Sequence, residues 1–431
     1  MRKTIDVVTM GCSKNLVDSE RVIKMLQDCG FEVTHNAEAF TGDIAVINTC
    51  GFIGDAKEES IEMILNAISA KDDGKLKEIY VMGCLSERYR DELKTEMPEV
   101  DGWYGKFDWS GLASGLAGRH PATAVWDRQI TTPRHYSYIK IAEGCNRFCS
   151  FCAIPLITGR FKSRPIEDIL DEVAALVSRG VREFNVIAQD LSSYGTDLYG
   201  SHRLAELIDR MSQIKGVGWI RLHYAYPADF PWDVLDVMNR RPNVCKYLDV
   251  ALQHVSDNVL ANMRRHIDGE GTRRFLRRVR ETVPGIHLRT TLMVGFPGEG
   301  EKEFEELKEF VSEQCFERMG AFAYCEEEDT YGAKNFSDDI SSEIKNSRLD
   351  EIMAIQEEIA LRHNEAKIGC RMRVIVDSEN EDHYIARSEF DSPEVDPEVL
   401  VEKSRKLLPG DFVEVEITDA MPFELLARIV K

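Results

Sequence analysis

The chain has 431 residues, of which 43% are hydrophobic and 30% charged, and its formal net charge is -21. This length predicts two or three domains, each with its own core. A chain this acidic repels polyanions at long range, which argues against a phosphate-binding surface and favours a basic macromolecular partner. The opening segment reaches Asp6 after only two basic residues, which argues against a secretory signal or a membrane span. We therefore expect a cytoplasmic protein with no membrane partner.

The first part of the chain has the pattern of a parallel sheet. Apolar runs at 4–11, 45–52 and 78–85 alternate with helix-like stretches, one of which ends at Gly30. Continuous apolar strands separated by helices are typical of parallel sheets with helical crossovers. We predict a flavodoxin-like α/β domain over residues 1–118.

Three cysteines fall at or just past the carboxyl ends of these three strands: Cys12, Cys50 and Cys84. Because parallel strands point the same way, the three thiols should meet at the edge where open α/β sheets bind ligands. A metal centre would use them as thiolate ligands, whereas the alternative is three small buried thiols. The chain has eleven cysteines, and five others follow no pattern and are expected in the core or on the surface: Cys29, Cys245, Cys315, Cys325 and Cys370.

A Pro-, Gly- and Thr-rich stretch at 116–135 is predicted to be a linker, and a series of strand-like runs follows it. The runs lie at 136–144, 183–190, 218–225, 246–253, 286–295 and 318–325. Helical stretches separate them, so six β/α units follow one another, fewer than the eight of a complete barrel. We predict an open six-unit (β/α) barrel over residues 131–364, with its chemistry on the loops after the strands.

A second set of three cysteines follows the first of these strands, in the sequence EGCNRFCSFCAIP. Three residues separate Cys145 from Cys149, and two separate Cys149 from Cys152. A structural zinc site wants four ligands, usually as two separated pairs. A cubane [4Fe-4S] cluster held by three thiolates instead leaves one iron open to a small molecule. The spacing therefore indicates an iron-sulfur cluster that binds a cofactor.

This motif resembles that of the radical S-adenosylmethionine enzymes. Two cysteine triplets, one on an α/β domain and one on a barrel, resemble the methylthiotransferases of that superfamily. The segments GCSKNLVDSE, IAQDLSSYG, LDVALQHVSD and LMVGFPGE extend the likeness over nearly the whole chain. They resemble most closely the branch that modifies the β-carbon of an aspartate in the small-subunit ribosomal protein S12.

The resemblance implies two [4Fe-4S] clusters, one on each triplet, and S-adenosylmethionine as both methyl donor and radical source. It also implies an electron donor and a sulfur source as further partners. Hydrogen atom abstraction needs no general base, so no catalytic side chain is expected beyond the cluster ligands. By their location, four residues are expected to contact the cofactor: Gln189, Asp190, Gln253 and Gly295. For each, the alternative is a hydrogen bond at a strand end or a simple turn.

The segment 366–431 has short alternating strands typical of a small antiparallel barrel, and it resembles a TRAM domain. It carries nine Lys and Arg against fifteen Asp and Glu. This charge is unsuited to gripping phosphates, so we predict that the segment docks the basic ribosomal protein and no nucleic acid. Four acidic residues are expected at accessible loop or strand-edge positions: Glu394, Asp396, Glu398 and Glu402.

Two alternative functions remain open at this point. One is methylthiolation of adenosine in transfer RNA by the same chemistry, which the acidic charge disfavours. The other is a non-enzymatic iron-sulfur module that transfers electrons or tethers RNA. An electron carrier normally closes its clusters with four protein ligands, and an RNA tether is normally basic, so neither pattern is present.

Overall fold

The computed structural model describes residues 3–124 and 126–430, which form two compact units. The first unit runs up to Thr132 and includes Glu143–Asn146 and Ala153–Phe161. The second contains Pro133–Ala142, Arg147–Cys152 and the chain from Lys162 onward. The six-stranded sheet and the C-terminal barrel thus lie in the same unit. Among the described residues, no helix is both long enough and apolar enough to span a bilayer.

The first unit contains a parallel five-stranded sheet in the order β2-β1-β3-β4-β5. Its strands are β1 (Thr4–Thr9), β2 (Glu32–His35), β3 (Ile44–Thr49), β4 (Glu78–Gly83) and β5 (Gly102–Trp103). Its helices include α1 (Ser13–Asp28), α2 (Gly54–Asp72), α3 (Cys84–Glu96) and α4 (Trp109–Ala117). All six residues of β3 are buried, as expected for a central parallel strand that is covered on both faces. The strand order confirms the predicted flavodoxin-like arrangement.

The stretch predicted as a linker packs against helix α1. Its described residues between Ala117 and Tyr136 form neither helix nor strand. The carboxylate of Glu20 accepts hydrogen bonds from the Arg128 guanidinium and from the backbone N–H of Thr131. The Arg128 and Glu20 side chains are each only 1% exposed. A buried ion pair therefore anchors this irregular segment to the first unit.

The second unit contains a parallel six-stranded sheet in the order β13-β12-β11-β10-β9-β6. The strands between the first unit and the C-terminal barrel are β6 (Tyr136–Lys140), β7 (Ala142–Glu143), β8 (Lys162–Ser163), β9 (Glu183–Ile187), β10 (Trp219–Ala225), β11 (Val244–Gln253), β12 (His287–Val294) and β13 (Arg318–Ala323). Each of the six predicted runs coincides with one strand of this sheet, although β11 begins two residues before its run. The first run is broken at Ile141, so its end forms the separate short strand β7.

Helices alternate with the strands of this sheet. In chain order they are α5 (Ile154–Thr158), which belongs to the first unit, and then α6 (Ile166–Ser178), α7 (Thr196–Tyr199), α8 (Leu204–Ser212), α9 (Asp233–Arg240), α10 (Asp257–Asn262), α11 (Gly269–Thr282), α12 (Glu301–Gln314), α13 (Tyr331–Asn335) and α14 (Ser342–Glu365). In α6, the apolar residues Ile166, Ile169, Val173 and Leu176 recur at helical spacing and are all buried. The spacing of these apolar residues therefore determines which face of the crossover helix is buried.

The chain ends in a closed five-stranded barrel in the order β14-β15-β16-β18-β17. Its strands are β14 (Arg371–Glu379), β15 (His383–Ser388), β16 (Glu398–Glu402), β17 (Phe412–Ala420) and β18 (Glu424–Ile429). Four pairings are antiparallel, as predicted, whereas β16 pairs with β18 in parallel. The predicted small barrel is confirmed, with one parallel pairing that was not predicted.

The loop between β15 and β16, residues 389–397, turns toward the amino-terminal end of the six-stranded sheet. Glu394 accepts hydrogen bonds from the hydroxyls of Tyr136 and Tyr138, at 3.0 and 3.2 Å. Asp396 accepts one from Tyr247 at 2.7 Å, and its side chain is only 2% exposed. The prediction of accessibility is therefore wrong for Asp396, whose side chain is buried. It holds for Glu394, which is exposed although its carboxylate bonds to two sheet residues.

A buried ionic network joins the same two parts of the second unit. Glu183, the first residue of β9, pairs with Arg387 of β15 at 2.7 Å and with Arg221 of β10 at 3.2 Å. Arg318 of β13 pairs with Asp391 of the loop at 2.6 Å. All five side chains are almost fully buried. The C-terminal barrel thus closes the amino-terminal end of the sheet and leaves the opposite end, where the strand-to-helix loops lie, for chemistry.

Candidate active site

The first three cysteines lie at the carboxyl edge of three neighbouring strands. Cys12 directly precedes helix α1, Cys50 follows β3, and Cys84 begins helix α3 directly after β4. Because β1, β3 and β4 are adjacent and parallel, their carboxyl ends share one edge. The structure therefore places the three cysteines where the sequence predicts them.

A glycine stands next to each of these cysteines: Gly11, Gly51 and Gly83. At Gly11, whose φ is +86°, an added Cβ would lie 2.8 Å from the Cβ of Cys50 and 2.9 Å from its sulfur. At Gly51, an added Cβ would lie 2.6 Å from the backbone nitrogen of Leu85. The glycines therefore allow the three segments to approach closely.

The protein environment acts differently on the three thiols. Burial raises the pKa of Cys50 to about 11, and the proximity of Cys12 and Cys84 contributes to this rise. Burial also raises the pKa of Cys84, although the charge of Lys106 opposes it. The pKa of the Cys12 thiol is lowered. Desolvation opposes this, but the charges of Lys14 and Lys106 together with hydrogen bonds from the backbone of Lys14 and Asn15 outweigh it. Two of the three thiols thus become ligands only with a cation to compensate their charge.

Sequence analysis missed two polar residues beside this triplet, Asn15 and Lys106. The Asn15 side chain is fully buried, and its carbonyl oxygen lies 3.5 Å from the sulfur of Cys84. The Lys106 ammonium lies 2.9 Å from this same oxygen and 3.0 Å from the Asp18 carboxylate. Asn15 falls three residues after Cys12, which was the one available sequence signal.

The donor set suits a cluster better than a single ion. Within residues 3–124 and 126–430, no three His, Cys, Asp or Glu side chains are close enough to share one metal ion. A cubane cluster does not require this, since each thiolate binds a separate iron atom. Three thiolates on converging glycine-flanked segments, with a buried cation nearby, therefore fit a [4Fe-4S] cluster.

The second triplet lies in the loop between β7 and helix α5. Ser150, between its second and third cysteines, donates from its backbone N–H to Met263 and from its hydroxyl to Asn262. The carbonyl of Ser150 accepts from the N–H of Gly332 at 2.6 Å. The loop is thereby fixed to two distant segments of the second unit.

An arginine that the sequence did not single out donates to this triplet. Arg265 is 3% exposed, and its guanidinium lies 3.3 Å from the sulfur of Cys149. It also lies over the ring of Tyr226, 4.2 Å from the centroid. Arg147, within the motif, lies 4.3 Å from the centroid of the same ring and donates to Asp190 at 2.7 Å. Positive charge is thus held beside the sulfur of Cys149.

The four residues predicted to contact the cofactor all lie at carboxyl ends of strands. Gln189 and Asp190 follow β9, Gln253 ends β11, and Gly295 follows β12. Gln253 is 8% exposed with φ of +73°, and its side-chain oxygen has no hydrogen-bond partner among the described residues. A buried, unsatisfied acceptor on strained backbone is expected where a ligand binds.

Asp190 and Gly295 form hydrogen bonds within the protein at the groups that could bind the cofactor. Both carboxylate oxygens of Asp190 are engaged, one by the N–H of Ser192 and the other by Arg147 and the Ser193 hydroxyl. The N–H of Gly295 donates to Glu299 at 2.9 Å. These contacts favour a positioning role for Asp190 and a turn at Gly295, and the turn is the alternative considered for Gly295. Gln253 fits a cofactor contact better.

Comparison with known families divides the chain into three matched regions. Residues 4–105 match the uncharacterized protein family UPF0004, residues 139–311 match the radical SAM superfamily, and residues 368–430 match the TRAM domain. These regions correspond to the parallel sheet, the six-stranded sheet and the closed barrel.

Several curated relatives are similar over the full length. The ribosomal protein uS12 methylthiotransferase RimO of Bacteroides fragilis is 57% identical over 430 residues, covering 100% of both chains. The protein of the same name from Porphyromonas gingivalis is 57% identical over 431 residues, covering 100% of this chain and 99% of its own. That from Christiangramia forsetii is 47% identical over 98% of this chain and 94% of its own.

Solved structures with much lower identity share the fold. The radical S-adenosylmethionine methyltransferase TsrM of Kitasatospora setae superposes with a TM-score of 0.57 at 16% identity, covering 75% of each chain. The cobalamin-dependent S-adenosylmethionine radical enzyme OxsB gives a TM-score of 0.54 at 13% identity, covering 83% of this chain and 56% of its own.

Proposed function

Since the chain belongs to the RimO family of ribosomal protein uS12 methylthiotransferases, we propose that it attaches a methylthio group to the β-carbon of an aspartate in uS12. The chain is a radical S-adenosylmethionine methylthiotransferase. The observation that carries the proposal is 57% identity over the whole chain, combined with two cysteine triplets on two separate sheets. The relatives reported above are all named for uS12, and none of these observations favours transfer RNA as the substrate.

Two [4Fe-4S] clusters would serve this reaction, one held by Cys12, Cys50 and Cys84 and the other by Cys145, Cys149 and Cys152. When bound, they supply the electron that cleaves S-adenosylmethionine and the iron site that carries the transferred sulfur. The reaction therefore also requires an electron donor and a sulfur source. The convergence of the first triplet and the Arg265 donor beside the second support this assignment.

The side chains around the second triplet position it and exclude water. Phe151, between the second and third cysteines, contacts Phe296 edge-on, with ring centroids 6.3 Å apart. Phe296 belongs to a buried apolar cluster that also contains Met263 and Tyr324. A dry wall beside the cluster protects a reactive radical from side reactions. Gln253 would bind S-adenosylmethionine through its unsatisfied carbonyl, with Gln189, Asp190 and Gly295 lining the same ends of the strands.

Charge supports a basic protein as the macromolecular substrate. The whole chain carries -21, and its C-terminal barrel is acidic. Glu398 and Glu402 are exposed on β16, as predicted, and remain available for docking. Complementary charge accelerates encounter with a basic partner such as a ribosomal protein.

Two triple variants test the assignment. Anaerobically reconstituted wild type should bind about eight iron atoms per chain, as two four-iron clusters require. Replacing Cys145, Cys149 and Cys152 by Ala should halve the iron and abolish cleavage of S-adenosylmethionine. Replacing Cys12, Cys50 and Cys84 by Ala should halve the iron and preserve cleavage, but prevent methylthiolation.

Product is measured by mass spectrometry after incubation with uS12 or with transfer RNA, in the presence of sulfide and reductant. Methylthiolated uS12 from the wild type alone supports the proposal. A methylthio group on transfer RNA, or modified uS12 from either triple variant, would overturn it.

A further inference from the structure

Lys106 is a buried lysine at the sheet edge that carries the first three cysteines. Its side chain is 2% exposed, and it pairs with the Asp18 carboxylate, which is 1% exposed, at 3.0 Å. Lysine is almost never buried without a partner, because desolvating an ammonium costs several kcal/mol. A fold that needed only stability at this position would more simply place an apolar side chain there.

Asn15 connects Lys106 to all three cysteine-bearing segments. The carbonyl oxygen of Asn15 accepts from the Lys106 ammonium and lies 3.5 Å from the sulfur of Cys84. Its amide nitrogen donates to the carbonyls of Met10 and Thr49, each at 3.0 Å. Met10 lies two residues before Cys12, and Thr49 lies one residue before Cys50. One amide thus contacts all three segments, and the lysine fixes its orientation.

We propose that Lys106 is a positioning residue for the cluster of Cys12, Cys50 and Cys84, fixing a positive charge beside it and aligning its ligands through Asn15. This inference rests on the proposed function, in which these thiolates hold a [4Fe-4S] cluster. Local charge and hydrogen bonds to the sulfurs are among the factors that set the reduction potential of such a cluster. A fixed cation stabilises the more negative, reduced form, so Lys106 should raise the potential.

The test measures the reduction potential of this cluster alone, in protein whose Cys145, Cys149 and Cys152 are replaced by Ala. Electron paramagnetic resonance follows the reduced cluster during a redox titration. Lys106→Met should shift the equilibrium toward the oxidised cluster at least tenfold, which lowers a one-electron potential by about 59 mV. Asp18→Asn should shift it the opposite way, because the positive charge of the lysine is then no longer offset by Asp18.

Arg128→Met provides the matched control. It removes the cation of a second buried ion pair on helix α1, that with Glu20, and should leave the potential unchanged. If Lys106→Met holds no iron because Asp18 has lost its ion pair with Lys106, the double variant Asp18→Asn/Lys106→Met is compared with Asp18→Asn. The double variant should have the lower potential.

Opposite shifts for Lys106→Met and Asp18→Asn, with none for Arg128→Met, support the inference. Iron that is merely lost, with the potential of the loaded fraction unchanged, would show a purely structural lysine and overturn it. Absence of any iron in the parent protein, whose only intact triplet is Cys12, Cys50 and Cys84, would instead overturn the proposed function and the inference together.

Discussion

At the scale of single residues, a glycine at position 11 permits the segments of the first cysteine triplet to converge. Gly11 has a positive φ, and a Cβ added to it would lie 2.8 Å from the Cβ of Cys50. We expect Gly11→Ala to displace Cys50 and reduce the iron bound at this triplet by at least half. The strained backbone alone costs roughly 1 kcal/mol, and the clash adds to it. Iron content after anaerobic reconstitution measures the effect.

Gly30 supplies the matched control for this substitution. It also has a positive φ, +98°, but an added Cβ there would meet no atom within 4 Å. Gly30→Ala therefore introduces backbone strain without a clash, and it should retain its full iron. Equal iron loss in both variants would show that strain, and not the approach to Cys50, is responsible.

His287 should make the second unit sensitive to acid. It stacks on Phe390 with ring centroids 3.9 Å apart, and burial together with the charges of Lys367 and Arg318 lowers its pKa to about 3. Its neutral form is therefore favoured in the folded state. The stability it contributes is complete above pH 6.5 and is lost as the pH falls from 6.5 toward 3.

Below pH 6.5, the free energy of unfolding should fall less steeply with decreasing pH in His287→Phe than in the wild type. The difference in slope should be up to about 1 kcal/mol per pH unit. Phenylalanine keeps the stacked ring but cannot bind a proton. Urea unfolding between pH 5 and pH 7.5 measures the slope, with His120→Phe, at an exposed position, as the control. Parallel wild-type and His287→Phe curves would contradict this explanation.

The sequence specified some site residues far better than others. The six cysteines could be predicted because their spacing or their place after strands is itself the signal. Asn15, Lys106 and Arg265 act singly, and their importance depends on which distant segments fold beside them. Asp190 follows β9, as predicted, and its contact with the cofactor stays a prediction; the sequence could not show that Arg147 donates to its carboxylate.

At the scale of elements, the 389–397 loop makes a structural contact with the six-stranded sheet through Glu394 and Asp396. Asp396 is buried, accepts from Tyr247, and lies 3.4 Å from Arg289. We expect Asp396→Lys to reduce the free energy of unfolding by about 3 kcal/mol or more, because it places a second cation beside that arginine. Glu402→Lys, at an exposed position of β16, should change it by less than about 0.5 kcal/mol. Urea unfolding that showed equal effects would contradict the assignment of this loop.

The strands of the six-stranded sheet were predictable because each is a continuous apolar run between helical patterns. For the C-terminal barrel, the sequence predicted the architecture but not all the strands or their order. Its strands β15 and β16 were not identified, and the parallel pairing of β16 with β18 depends on contacts between segments distant in sequence. Alternation of side chains marks a strand but does not show which strand lies beside it.

At the scale of the whole molecule, the charge of -21 should govern encounter with the substrate. We expect the association rate with uS12 to fall by about tenfold between low and high salt, as ions screen charges beyond a Debye length of about 8 Å at physiological ionic strength. Stopped-flow binding across a salt series measures this. A rate independent of salt, or stronger binding of transfer RNA, would contradict electrostatic steering by the acidic surface.

The buried ionic network limits how this enzyme can be divided or recombined. Removing residues 366–431 would leave Glu183, Arg221 and Arg318 without the partners that β15 and its loop provide. Such a truncation would damage the sheet as well as any docking surface, so it cannot report on substrate binding alone. A chimaera that carries the C-terminal barrel of a relative should fold only if the charges at these three sheet positions match those of the new barrel. We therefore expect substitutions in the six-stranded sheet at this contact to be accompanied by substitutions in the C-terminal barrel during evolution.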